Sequence, residues 1–293
     1  MSYFLNKNNV KIGITGSNGF VGSHLIEFIK SETKFEIIEI SRNNGFDILN
    51  PITLFELNDI DLIIHLAGKS YVPDSYLNPF DFYQNNVSGM INILELCRRN
   101  NARLIFASSY LYGEPSYLPI DENHKVVSTN PYAETKLISE QLCNSYSKYH
   151  GVKCCILRIF NLYGPKQNDA FLIPKIIKQA SSGYVILADP SPKRDFLYID
   201  DLINLFKLII ESHFIFSFEI FNVGYGKSYS IHEIIDNIRK NCDNDFSVDY
   251  TYEKRLGEIS ETLCNNSKVK SEFLWNPKIN LEAGISNIIK SNK

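Results

Sequence analysis

Short apolar runs alternate with longer amphipathic stretches through the first half of the chain. "NVKIGIT" (9–15) reads as a buried strand, and "GFVGSHLIEFIKSE" (19–32) carries apolar residues at helical spacing. "KFEIIEIS" (34–41), "DIDLIIHLAG" (59–68), "ARLIFASS" (102–109) and "VKCCILRIFN" (152–161) read as further strands. Long amphipathic helices are expected at 79–100 and at 130–151, the second stopped by Gly151. Strand and helix in strict alternation predict a parallel sheet covered on both faces, an α/β doubly wound architecture. After about residue 165 the pieces shorten ("FLIPKIIKQAS", "KRDFLYIDDLINLFKLII", "SIHEIIDNIRK"). We expect a nucleotide-binding domain over 1–165. Over 166–293 we expect a smaller, interleaved substrate-binding region, some segments of which return to the first.

The first strand runs into "TGSNGFVG" (15–22), with Gly16, Gly19 and Gly22 three apart and a helix starting. Gly16 permits a tight turn, Gly19 a close approach to a pyrophosphate, and Gly22 close packing of helix on strand. The helix N-terminus offers free N–H groups and partial positive charge to phosphates. A dinucleotide is therefore expected over Gly16, Asn18, Gly19, Phe20, Val21 and Gly22. At the end of the second strand, Ser41 and Arg42 stand where an acid would chelate the ribose of NAD, and a guanidinium there suits the 2′-phosphate of NADP. The competing reading gives the ribose to Glu39 and leaves Arg42 a surface charge. Asp47 is expected at the adenine amino group, beside Ile48.

Tyr132 and Lys136 lie four apart, on one face of a helix. A lysine cation beside a phenol favours its ionisation and brings its pKa toward working pH. The same spacing recurs at Tyr3/Lys7, Tyr149/Lys153 and Tyr250/Lys254. Only Tyr132 opens a long helix shortly after a strand, "FASSYLYG", whose Ser108 and Ser109 are expected at the carboxyl edge of the sheet. A serine there can hold a substrate oxygen while Tyr132 moves a proton.

Composition narrows the picture further. The 293 residues carry a formal charge of −3 and no basic block, which argues against nucleic acid as a partner. Neither a leader segment nor an apolar run of membrane-spanning length is read, so no membrane partner is expected and a cytoplasmic location is. The six cysteines form no C-x-x-C pair, as in a reduced protein, and no cluster has metal-ligand spacing.

Together with "HLAG" (65–68), "SSYLYG", "PYAETK", "LRIFNLYGP", "KRDFLYIDDL", "FNVG" and "RLGE", these motifs resemble the extended short-chain dehydrogenase/reductase family of nucleotide-sugar epimerases, dehydratases and reductases. The resemblance implies a Rossmann-type fold, commonly homodimeric, and a catalytic Ser108 (with Ser109 the alternative), Tyr132 and Lys136. It implies cofactor contacts from Leu66, Ala67, Gly68, Tyr132 and Lys136, with Asn86 supporting the lysine. It places a nucleotide-diphosphate sugar on Ser108, Ser109, Asn161, Leu172, Ile173, Pro174, Arg194, Arg255 and Glu258. Two arginines suit a diphosphate. Asp195, Asp200 and Asp201 are read as caps and surface charges. No Asp-Glu pair follows the serine, so the family's 4,6-dehydration is not expected. The Ser41-Arg42 cue favours an NADPH-dependent reductase of a 4-keto-6-deoxy sugar nucleotide (dTDP- or GDP-linked), serving polysaccharide synthesis. An NAD-dependent 4-epimerase is the alternative, and a non-catalytic sensor of the same fold a third reading.

Overall fold

The computed structural model describes residues 10–212, 214–242, 245–254 and 257–291. Its first half follows the alternation expected: β1 (Lys11–Thr15), α1 (Phe20–Glu32), β2 (Glu36–Ile40), α2 (Pro51–Leu54), β3 (Leu62–His65), α3 (Val72–Leu77) and α4 (Pro79–Phe82). A π-helical stretch, Tyr83–Ser88, runs into α5 (Gly89–Asn100), and β4 (Arg103–Ser109), α6 (Pro131–His150) and β5 (Cys154–Ile159) follow. Then come β6 (Asn161–Tyr163), α7 (Leu172–Ser181), β7 (Tyr184–Leu187), β8 (Lys193–Tyr198), α8 (Ile199–Ser212), β9 (Phe218–Val223), β10 (Ser228–Ser230), α9 (Ile231–Asn241), β11 (Ser247–Tyr250), α10 (Ser267–Phe273) and α11 (Leu281–Ser291). The helix expected over 79–100 is thus one helical run broken by an inserted π segment.

The chain divides into two compact units. The first comprises 1–111, 126–158 and 206–221, and the second 112–125, 159–205 and 222–293. The division drawn from sequence at residue 165 therefore falls inside a stretch of the second unit. The segment 206–221 returns to the first.

A six-stranded sheet has the order β2-β1-β3-β4-β5-β9, with β1 parallel to β2 and β3, and β3 parallel to β4. Ile12, Ile14, Leu62, Ile63, Ile64, Leu104 and Ile105 are fully buried, as continuous apolar strands with both faces covered must be. The order reverses at β1, whose neighbours are β2 on one side and β3 on the other. Register puts Thr15 beside His65, and His65 beside Phe106, so β1 and β3 end level there while β4 runs on to Ser109. The crevice beyond such a reversal is where open α/β sheets bind ligands.

In the second unit β6, β8 and β10 form a three-stranded sheet, and β7 pairs parallel with β11. Asp195 in β8 is fully buried and accepts the backbone N–H groups of Tyr225 (2.8 Å), Gly226 (2.8 Å) and Cys264 (3.1 Å). Burial lifts its pKa to about 6 against those bonds. Asp201 is buried too and accepts from the N–H groups of Lys278 and Ile279. Both aspartates cap backbone, as read from sequence, but neither is a surface charge. Asp200, by contrast, is exposed.

Candidate active site

The glycine turn closes as its sequence requires. Gly16 adopts φ +69°, and a Cβ there would sit 2.8 Å from the amide nitrogen of Ala67. A Cβ on Gly22 would meet the Gly16 carbonyl oxygen at 2.2 Å, whereas one on Gly19 would come only to 3.2 Å. Gly22 is thus fixed by packing, while Gly19 faces outward, exposed. No side chain caps the first turn of α1. Ser17 Oγ is buried there with no hydrogen-bond partner. An uncapped helix end, a backbone cradle and an orphaned hydroxyl fit a bound pyrophosphate.

Thr15 ties the turn to the end of β3. Its hydroxyl oxygen accepts the N–H groups of Leu66 (3.1 Å) and Ala67 (3.0 Å). Its own hydrogen therefore goes to His65 Nδ1, 2.8 Å away, and the imidazole proton sits on Nε2. Burial and the nearby Lys136 cation push His65 down to about 3, so the ring is neutral.

Asn86, in the π segment, is buried and fully engaged. It accepts from the Lys69 N–H (2.8 Å) and donates to the Lys69 carbonyl (3.0 Å) and to Thr135 Oγ1 (2.9 Å). A Cβ on Gly68 would strike Asn86 Oδ1 at 2.9 Å, which explains glycine in "HLAG". Asn86 therefore secures the turn after β3 to α6. Its side chain bonds that turn and Thr135, one residue before Lys136.

α6 begins at an Asn130 cap, which accepts from the Ala133 N–H at 2.8 Å, with Pro131 at the first helical position and Gly151 closing the helix at φ +72°. Tyr132 and Lys136 project from one face. Lys136 is buried and donates to the Ala107 carbonyl at 2.9 Å, and burial brings its pKa down to about 8. The Tyr132 hydroxyl shares a hydrogen bond with Ser109. Burial raises the Tyr132 pKa and the Ser109 bond offsets part of that rise, so the lowering expected from Lys136 is absent here. The ammonium is occupied by Ala107.

The structure gives different surroundings to the two serines that the sequence left as alternatives, Ser108 and Ser109. Adjacent strand residues face opposite sides, and Ser108 is the one turned inward. It is 5% exposed and donates to Glu140 Oε1 at 2.6 Å. Ser109, half-buried, is the hydroxyl beside Tyr132.

The recurring Tyr/Lys spacings separate cleanly. Tyr149 is 67% exposed near the end of α6, and Lys153 lies beyond the helix. Tyr250 ends β11, outside any helix, and Tyr3/Lys7 lies outside the described residues.

At the end of β2, Glu39 makes an exposed ion pair with Lys30 at 2.8 Å. Ser41 is held by Asn18 Nδ2 at 3.3 Å, and Arg42 opens an exposed 3₁₀ turn, Arg42–Asn44. Asp47 accepts the Leu49 N–H at 2.9 Å, and Ile48 is buried in the core, so both serve the turn first.

In the second unit, Arg194 of β8 donates to the Lys193 carbonyl at 2.8 Å and pairs with the Glu258 carboxylate. Asn161 opens β6, exposed, and Leu172 opens α7, half-buried. Ile173 and Pro174 are buried on the same helix. Arg255 lies outside the described residues. Among the described residues no cluster could hold a metal ion, and no helix is long and apolar enough to cross a membrane.

Sequence reasoning passed over Glu140 and Arg158. Both left a signal: Glu140 continues the i, i+4 series of Tyr132 and Lys136, and Arg158 interrupts the apolar strand "CCILRI". A charge inside a buried strand requires a partner.

A crevice with a dinucleotide cradle beside a paired tyrosine and lysine defines a nucleotide-dependent oxidoreductase site. The sequence profile of the NAD dependent epimerase/dehydratase family matches residues 12–224, and the chain belongs to that family. A putative UDP-glucose 4-epimerase of Methanocaldococcus jannaschii is 31% identical, the match covering 94% of this chain and 96% of that one. The UDP-glucuronic acid 4-epimerase of Bacillus cereus, in complex with UDP-glucuronic acid and NAD, superposes with TM-score 0.88 at 27% identity, covering 97% and 100%. RMD from Pseudomonas aeruginosa, complexed with NADPH, superposes with TM-score 0.87 at 25% identity, covering 96% and 98%.

Proposed function

We propose that the protein is an NAD-dependent nucleotide-sugar 4-epimerase, acting on a UDP-linked hexose. The observation that carries this reading is full-length similarity to UDP-sugar 4-epimerases, joined to an intact Ser109, Tyr132 and Lys136. This revises the order of the sequence-based expectations, which put a 4-keto reductase first. Gly16, Ser17, Gly19 and Gly22 would hold the pyrophosphate of the cofactor, and Lys136 its ribose. Bound there, the cofactor supplies hydride acceptance and return. Tyr132 takes the proton of the sugar C4 hydroxyl and gives it back to the resulting ketone's oxygen. Ser109 donates to that same oxygen and fixes it against Tyr132. In the free protein Lys136 is held by the Ala107 carbonyl and does not lower the Tyr132 pKa; with cofactor bound, its cation is the group proposed to favour the phenolate. Arg194 and Glu258 in the second unit are the groups proposed for the diphosphate and nucleoside ribose.

The test is interconversion of UDP-glucose with UDP-galactose, and of the UDP-glucuronate and UDP-N-acetylglucosamine pairs, without added cofactor, read by NMR. Tightly bound NAD released on denaturation is expected alongside. A second reading has its own support: exposed Arg42 suits NADPH and hence a 4-keto-6-deoxy-sugar reductase. NADPH consumption on a 4-keto-6-deoxy sugar nucleotide, with no epimerisation of any pair, would establish that reading instead.

A further inference from the structure

Beneath the catalytic face lies a buried ionic cluster that neither hydride chemistry nor cofactor binding uses. Glu140 is 3% exposed, one turn beyond Lys136 on α6. Arg158 of β5, 4% exposed, donates from Nε to both carboxylate oxygens (3.0 and 3.2 Å) and from Nη2 to Oε2 (2.6 Å). Ser108 of β4 donates to Oε1. The residue before Ser108, Ala107, offers its carbonyl to Lys136, and the residue after it, Ser109, meets Tyr132. One carboxylate thus touches the strand that carries the serine and faces the lysine along the helix.

We propose that Glu140, gripped by Arg158 and Ser108, is a positioning residue that sets the charge of Lys136 and the placement of Ser109 against Tyr132.

The charges around it can be enumerated. Glu140 is faced by Arg158 from β5, Ser108 from β4, and Lys136 and Cys143 from α6. Lys136 is faced by His65 from β3, the Ala107 carbonyl from β4, Phe106 with its ring 4.6 Å away, and Glu140, Cys143 and Tyr132 from its own helix. His65 is neutral, and burial pushes the Cys143 thiol far up, so neither carries charge near neutrality. Glu140 is then the anion that opposes the desolvation of Lys136. A buried pair with three well-placed charge-assisted bonds contributes little net stability against replacement by apolar residues. Its proposed use is to keep an ammonium protonated inside a protein core.

The test has one arm that does not depend on the reaction. In the cofactor-free protein, the Lys136 side chain is titrated by heteronuclear NMR, its signal assigned by its loss in Lys136→Met. Glu140→Gln should lower the Lys136 midpoint by about one pH unit or more, tenfold in its ionisation equilibrium. Arg158→Met, which leaves Glu140 uncompensated, should raise it. Where a single variant fails to fold, Glu140→Gln/Arg158→Met leaves no unpaired buried charge, and a smaller downward shift should persist. Unchanged Lys136 titration in the folded variants overturns the proposal. The second arm rests on the epimerase reading: Glu140→Gln should move the alkaline limb of the kcat profile down in parallel, with KM for the sugar nucleotide preserved. A shift by NMR without measurable epimerisation would count against that reading and leave Glu140's role standing.

Discussion

Which of two adjacent serines touches the chemistry is decided by strand pleat, and the two make opposite predictions. Ser109→Ala removes the donor beside Tyr132 and should lower turnover by about 10²-fold, as loss of one donor to a reacting oxygen typically does, with Tm unchanged. Ser108→Ala removes one charge-assisted bond inside the core, typically about 1.5–3 kcal/mol, and should lower Tm, with a smaller effect on turnover. The reverse pattern in a paired kcat and melting series would restore Ser108. Tyr132→Phe should cost about 10²–10⁴-fold in kcat with NAD affinity preserved, and Tyr149→Phe, exposed at the far end of α6, should change neither. The tyrosine and lysine were legible in the sequence because helical spacing and a preceding strand single them out. The serine was legible only as a pair, Ser108 or Ser109, because counting from Tyr112 fixes a position along the chain and says nothing of which way a strand residue faces. The burial of Asp195 went unread for a related reason: three backbone N–H groups from distant turns converge on it, and sequence spacing carries no trace of them.

At the scale of elements, the carboxyl ends of β1, β3 and β4, the last running on to Ser109, position the candidate site, and the alternation of apolar runs predicted these strands well. The π segment was hidden, because Tyr83–Ser88 keeps an ordinary helical composition while inserting a residue's worth of backbone. The link between β1 and β3 carries a pH signature. Folded His65 resists protonation down to about pH 3, whereas in the unfolded chain it protonates near 6.5. Its depressed folded pKa gives a contribution present above about pH 6.5 and lost as pH falls toward 3. At pH 4.5 the two-unit gap corresponds to about 2–3 kcal/mol. His65→Phe keeps the stack on Phe106 but forfeits the Thr15 bond, so it should be less stable at pH 7. Its further loss between pH 7 and 4.5 should be smaller than that of the unaltered protein by about that amount. Urea melts at the two pH values measure this, and equal losses would show that the ring is already charged. The glycine turn yields a parallel contrast. Gly22→Ala must displace the Gly16 carbonyl and should weaken both fold and NAD binding, whereas Gly19→Ala, whose Cβ presses on the same carbonyl oxygen only at 3.2 Å, should lower Tm far less.

For the whole molecule, chain order and spatial order part company. A division at residue 165 is the natural reading of the sequence, since the regular alternation stops there. The first unit nevertheless recruits 206–221, which supplies the latter part of α8 and most of β9, the strand beside β5 at the sheet edge. Phe206, Ile209, Ile210, Phe214 and Phe221 are buried, and Phe218 and Ile220 pack against the core cluster. Backbone and side chain both meet this segment: the Cys154 N–H donates to the Ser217 carbonyl at 2.9 Å, and Ser147 Oγ donates to the same oxygen at 2.8 Å. A fragment of residues 1–165 therefore exposes the edge of β5 and loses at least five buried apolar side chains. Each contributes about 1.5–3 kcal/mol, roughly 8–15 kcal/mol together, which matches the whole stability of an ordinary domain, about 5–15 kcal/mol. The fragment should fail to fold and should not bind NAD, although it contains every residue of the glycine turn together with Ser109, Tyr132 and Lys136. Circular dichroism with calorimetric titration of NAD would measure both. A folded 1–165 fragment that binds NAD at the affinity of the full chain would show that the returning segment is dispensable and that the first unit is complete without it.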